Sequence, residues 1–112
     1  MNLTALGDDA LWTAIAEPSR RRLIDALSKR GELSASMLAS GMTISRQAIT
    51  KHLAVLEKAS LVNQRKQGKE VLFTIRPDKL QEASLVMREA SARWDQRLQR
   101  IKAIAEQLEN NV

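Results

Sequence analysis

The order of apolar and polar positions divides this chain into five helical stretches and one hairpin. Leu11, Ala14 and Ile15 share one face of a helix expected over 8–16, and Asp8 and Asp9 suit its positive N-terminal end. Glu17-Pro18 ends it, because the residue before proline resists the α region. Pro18 then opens a second helix over 18–29, whose buried stripe is Leu23, Ile24, Ala26 and Leu27. Lys29 and Arg30 sit at its negative end, and Gly31 stops it.

Ser34 is placed to cap a short helix that ends at Ser40, before the breaker Gly41. Ser45 caps a further helix over 46–59, with Ile44 and Ile49 spaced as a hydrophobic staple across the cap. Short helix, glycine turn and capped helix over 34–59 make the layout of a helix-turn-helix. Two strands follow, 61–66 and 70–75, in which Val71, Phe73 and Ile75 alternate with Leu72 and Thr74. Gln67-Gly68-Lys69 joins them as a short loop, giving a hairpin, or wing, over 61–75.

The last helix is expected over 78–109. Its apolar positions are Leu80, Ala83, Met87, Ala90, Trp94, Leu98, Ile101, Ala105 and Leu108, in steps of 3, 4, 3, 4, 4, 3, 4 and 3. This is a heptad-like seam with one extra residue between Trp94 and Leu98. A domain this small can cover only part of it, so a partner helix is implied. The class is therefore mainly α with a β-hairpin wing, one winged helix-turn-helix domain over 1–112. It is expected to dimerise through its first and last helices, with Leu11, Ile15, Leu80, Met87, Trp94, Leu98 and Ile101 at the interface.

Charge sharpens this picture. The net charge is +5, but residues 1–17 carry −3, residues 18–77 carry +8 and residues 78–112 carry 0. A localised basic field favours a polyanion such as DNA, although a solvated basic surface has the same composition. On a helical wheel of about 100° per residue, Ile49, Leu53 and Leu56 cluster on the core face. Gln47, Lys51, Ala54 and Lys58 fall within about 40° of the opposite direction, with Thr50 on its shoulder. Small Ala54 lets this face approach a groove. Arg46, at the tip, suits guanine and Gln47 suits adenine. Thr50 and Lys51 can reach bases or phosphates. On an isolated helix such a face would simply be solvated; its place in a helix-turn-helix is what favours DNA. Ser45 and His52 complete the candidate contacts, but His52 lies beside the core face and fits support or an edge phosphate contact better than base reading. Arg65, Lys66 and Lys69 surround the hairpin loop and suit a DNA backbone. Arg20, Arg21 and Arg22 suit backbone contacts or structural salt bridges equally.

Other chemistry is poorly supplied. The chain has no cysteine and one histidine, so thiolate metal sites, disulfides and thiol redox sensing are absent. It lacks a nucleophile with matched His and acid, a Gly-rich phosphate loop and HExxH, so no enzyme activity, cofactor or metal is expected. No apolar run approaches the roughly 18 residues that span a bilayer, and no signal-peptide pattern opens the sequence. A cytoplasmic protein with no membrane partner is expected. Met37, Met42, Met87 and Trp94 are candidates for lining an inducer pocket, though Met and Trp at helical spacing more often form core. An interaction module without DNA binding is the competing reading. The outward face of the second capped helix lacks the apolar anchor such a module needs.

Several segments resemble one family. Ala14-Ile15-Ala16-Glu17-Pro18-Ser19-Arg20-Arg21-Arg22-Leu23-Ile24-Asp25-Ala26-Leu27 resembles the second-helix signature of ArsR-type repressors. Ile44 through Leu56, with its His52-Leu53 pair, resembles their recognition helix, and Leu61-Val62 with Gly68–Phe73 their wing. The likeness covers about residues 10–76, and Trp94-Asp95-Gln96-Arg97-Leu98 resembles the last helix of a metal-free branch. It implies a dimeric winged-helix repressor that leaves its operator on a signal, with double-stranded DNA and a second copy as partners. The cysteine pair and last-helix ligands of the metal sensors are missing, which implies no metal. Ser60 stands where a glycine is usual before the first wing strand, a change expected to alter the helix end and leave the fold intact.

Overall fold

A computed structural model describes residues 8–111; residues 1–7 and 112, inside the expected 1–112 domain, lie outside the described residues. Its elements are α1 (Asp9–Ala16), α2 (Pro18–Arg30), β1 (Leu33–Ser34), α3 (Ala35–Ser40), α4 (Arg46–Lys58), β2 (Val62–Gln67), β3 (Glu70–Ile75) and α5 (Pro77–Asn110). The helix starts follow the expected local chemistry. Asp8 caps α1 by accepting from the Leu11 N–H, Ser34 caps α3 through the Met37 N–H, and Ser45 caps α4 through the Ala48 N–H. Glu17 ends α1 and caps α2 by accepting from the Arg20 N–H, and Pro18 occupies the first turn.

The wing strands pair antiparallel, Val62 opposite Ile75 through Gln67 opposite Glu70, leaving a two-residue turn with Gly68 at φ +64°. The three-residue loop expected there is shorter because Gln67 joins the ladder. β1 is an addition to the sequence-based expectation. Leu33 and Ser34 pair with Phe73 and Leu72, so β3 lies at the centre of a three-stranded sheet in the order β1-β3-β2. That pairing closes the sheet onto the root of the helix-turn-helix, and it explains why Leu72 and Phe73 are both buried.

One core serves the whole domain. Leu11, Ala14, Leu23, Leu27, Leu38, Ile49, Leu53, Leu56, Leu61 and Phe73 belong to a single buried cluster. Leu11 was expected between protomers; it is instead completely buried within the chain's own core, because α1 turns its Leu11/Ala14 face inward. Ile15 and Leu80 are partly buried and pack against that cluster. Only the start of α5 joins the domain, through Leu80, Ala83 and Val86, and Lys79 ties it to the Asp8 carboxylate at the α1 cap. The Lys79 hydrogen bond, with the Leu11 N–H, holds the Asp8 carboxyl below its ordinary value. The rest of the 34-residue helix projects outward, so the molecule extends over 74 × 29 × 21 Å.

The end of α4 shows how the fold accommodates Ser60. The Leu61 N–H donates to the Leu56 carbonyl and the Ser60 N–H to the Glu57 carbonyl, both at 2.9 Å. These bonds make a Schellman turn, with buried Leu56 and Leu61 as its apolar pair. Ser60 therefore takes φ +62°, a left-handed conformation that a side chain disfavours. Ser60→Gly should raise stability by about 1 kcal/mol, read as a higher midpoint in urea at unchanged slope.

Candidate nucleic-acid interface

The recognition surface begins with the orientation of α4. Ile49, Leu53 and Leu56 are fully buried, which turns Arg46, Gln47, Thr50, Lys51, Ala54 and Lys58 to the exposed side. Arg46, Gln47, Thr50 and Lys51 line one concave surface of about 390 Å³. Ser45 does not extend outward to do the same, since its Oγ accepts from the Ala48 N–H at 3.1 Å to start the helix. The Thr50 hydroxyl donates to the Arg46 carbonyl at 3.0 Å, which leaves its oxygen lone pairs free to accept.

The wing stands beside this face. A cleft of about 280 Å³ between α4 and the hairpin brings Arg46, Thr50 and Lys69 together with Ser36, Gln64 and Phe73. Ser36 and Gln64 escaped the sequence analysis. Each is an ordinary polar residue in its own element, and only the packing of α3 and β2 against α4 sets them in the cleft. Lys66 and Lys69 are exposed on the hairpin and form no ion pair among the described residues.

Arg65 behaves differently. Its guanidinium grips the Glu32 carboxylate through Nε and Nη2 and also donates from Nη2 to the Gln67 side chain at 3.0 Å. This forked bond holds the Glu32 carboxyl below its ordinary value and the Arg65 guanidinium above its own. Arg65 thus fastens the wing to the segment before β1, and its charge is matched by Glu32. Sequence spacing gives no sign of that pair, since thirty-three residues separate its members.

His52 is about a quarter exposed, on the flank of α4 that faces α1 and α2. Its Nδ1 lies 3.3 Å from Arg20 Nη1 and 3.8 Å from Glu17 Oε2. Burial raises the pKa of Glu17, but the N–H groups of Arg20 and Ser19 outweigh it, helped by His52, and the carboxyl ends below 4.5. Arg20 also donates to the Ala14 and Thr13 carbonyls at 2.7 and 3.1 Å, and Arg21 to those of Ile15 and Ala16 at 2.7 Å. The two arginines therefore satisfy the open carbonyl end of α1. Arg22 is exposed. The cluster of Glu17, Arg20 and His52 braces the recognition helix against the junction of α1 and α2.

The candidate pocket residues are spread over separate parts of the surface. Met37 on α3 is 39% exposed and Met87 on α5 is 59% exposed, while Met42 and Trp94 line separate surface depressions. Along α5, Met87, Trp94, Leu98 and Ile101 are each about half exposed, as are Ile104 and Leu108. No helix among the described residues is long and apolar enough to cross a membrane.

A capped recognition helix with an exposed polar face, braced from behind and flanked by a basic hairpin, defines a winged helix-turn-helix DNA-binding protein. A helix-turn-helix domain family model matches residues 15–65, which run from the end of α1 through α4 into the first wing strand. The HTH-type transcriptional regulator YuzN of Bacillus subtilis is 42% identical, across 54% of this chain and 73% of its own length. The arsenical resistance operon repressor of Escherichia coli is 31% identical, across 88% of this chain and 81% of its own length. The solved structure of an ArsR-like transcriptional regulator from Rhodococcus sp. RHA1 superposes with a TM-score of 0.76 at 33% identity, covering 95% of this chain and 97% of that one. The chain belongs to the ArsR family of helix-turn-helix transcriptional regulators, and it is a DNA-binding regulator of transcription.

Proposed function

We propose that this protein is a cytoplasmic repressor that binds an inverted-repeat operator as a homodimer. The observation that carries the reading is the exposed face of Arg46, Gln47, Thr50 and Lys51, held beside the free cations of the wing. Arg46 and Gln47 read base edges at the tip of α4, while Thr50 and Lys51 add base or phosphate contacts. Lys66 and Lys69 hold the backbone beside the wing, and Ser45 and His52 position the helix. Repression is supported by the similarity to the Escherichia coli relative, itself an operon repressor.

The half-exposed stripe Met87, Trp94, Leu98 and Ile101 on α5 supports a second copy as partner. Ile15 and Leu80 lie at its domain end. The signal that releases the operator is proposed to be other than a thiolate-bound metal, since the chain has no cysteine. A small-molecule inducer or a partner protein would fill that role. Selection of bound sequences from random DNA tests the function. It should return two inverted half-sites about one helical turn apart, near 34 Å.

A further inference from the structure

The register of the wing sorts its side chains onto two faces. Val62, Gln64 and Lys66 stand opposite Ile75, Phe73 and Val71, and directly opposed residues share a face of the sheet. That face meets the core, because Val62 and Phe73 belong to the buried cluster while Val71 and Ile75 pack against it. It is also the face turned to α4, since Gln64, Val71 and Phe73 line the cleft with Arg46 and Thr50. Arg65 stands opposite Leu72, so the alternation of the strands sends both to the other face. Leu72 is buried yet is no member of the core cluster, as that placement requires.

On this outer face Arg65 reaches across β3. Leu72 has Arg65 beside it on one strand and Ser34 on the other, and Glu32 lies two residues before Ser34. There Arg65 Nε donates to Glu32 at 2.6 Å, while Nη2 donates both to that carboxylate and to the Gln67 side chain. Gln67 is the last paired residue before the Gly68-Lys69 turn. The linked side chains of Glu32, Arg65 and Gln67 therefore run from the root of the helix-turn-helix to the tip of the wing. Backbone pairing alone holds that tip weakly. β1 pairs only with Leu72 and Phe73, so residues 66–71 form a two-stranded ribbon, which is marginal without further support.

We infer that Glu32 is a positioning residue for DNA binding: through Arg65 it fixes the angle at which the wing offers Lys66 and Lys69 to the DNA backbone. Arg65 serves the wing and not a phosphate, because it lies on the face turned away from α4. This deepens the DNA-binding reading above and rests on it. The inference has a distinctive sign. An acidic side chain near a polyanion ordinarily opposes binding, so its removal ordinarily tightens it. Removal of Glu32 should weaken it, since the two lysines lose their placement.

Glu32→Ala, Arg65→Glu and the exchange of both, Glu32→Arg with Arg65→Glu, test this in the full chain. Each is titrated with a duplex recovered by selection from random DNA and with a duplex of unrelated sequence. Neither residue belongs to the core cluster, so circular dichroism should show an intact fold for all three. Glu32→Ala should weaken both duplexes about tenfold through lost wing contacts to the backbone, and Arg65→Glu at least as much. The exchange restores the pair with its charges reversed and should return affinity to within about threefold of the unaltered protein. Unchanged or tighter binding by Glu32→Ala overturns the inference. So does an exchange that binds no better than Arg65→Glu alone, which would make Arg65 a phosphate contact. An unaltered protein that binds neither duplex overturns the DNA-binding reading itself, which keeps the two failures distinct.

Discussion

Trp94→Glu should convert the protein to a monomer and lower operator affinity by about two to three orders of magnitude. Trp94 is 56% exposed and stands at the middle of the α5 stripe. The Arg97 guanidinium lies 6.0 Å from its ring centroid. Two copies pairing there bury both indole rings, at about 2 to 3 kcal/mol each. The substitution removes that burial from both chains at once and sets two carboxylates in the seam. Without dimerisation the second half-site is no longer bound at the millimolar effective concentration a linked domain enjoys, and affinity falls accordingly. The protomer should still fold, because Trp94 contributes nothing to the buried cluster. Sedimentation reads the oligomeric state, circular dichroism the fold, and a DNA titration the affinity. A dimer of unchanged affinity would remove α5 from the assembly.

Arg46→Ala has the second largest expected effect, and it differs in kind from Lys51→Ala. Arg46 is the first residue of α4, exposed and without an ion-pair partner among the described residues, so its fork is free for a guanine edge. A good bidentate pair discriminates by about 1 to 3 kcal/mol. The loss occurs in both half-sites of an inverted repeat, so affinity for the preferred operator should fall at least tenfold, and base preference at the contacted position should relax. Lys51→Ala should instead weaken all sequences alike and reduce the salt slope by about one per protomer. Titrations at several salt concentrations, on the selected operator and on a variant at the read position, separate the two outcomes.

How much of this was legible in the sequence follows from the range of the interactions. The helix starts were legible because Asp8, Glu17-Pro18, Ser34 and Ser45 act within three residues of themselves. The outward face of α4 was legible because Ile49, Leu53 and Leu56 fix its rotation by simple spacing. The wing followed from the period-two pattern around Gly68. What escaped depends on residues far apart. Two residues have no periodicity, so β1 exists only through its pairing with β3. Arg65 resembled a free wing cation until Glu32, from the other end of the helix-turn-helix, closed on it. Leu11 was expected at the interface, and only the packing of α1 put it in the chain's own core. His52 was placed beside the core face by its wheel angle, but Arg20 and Glu17 were not visible as its neighbours.

The projecting half of α5 is the clearest case of a sequence feature that a single protomer leaves without a purpose. Its apolar spacing was evident from the pattern, and the structure adds that the domain covers only the first three turns. Together these make the mode of assembly the natural complement of the recognition face.

The central claim is that α4 reads a defined operator as one half of a symmetric pair. Selection of bound DNA from a random pool, with the full chain at physiological salt, tests it most directly. The expected product is an inverted repeat with half-site centres about 10 base pairs apart, bound by two chains. Enrichment of no sequence, or of a single half-site bound by one chain, would contradict it.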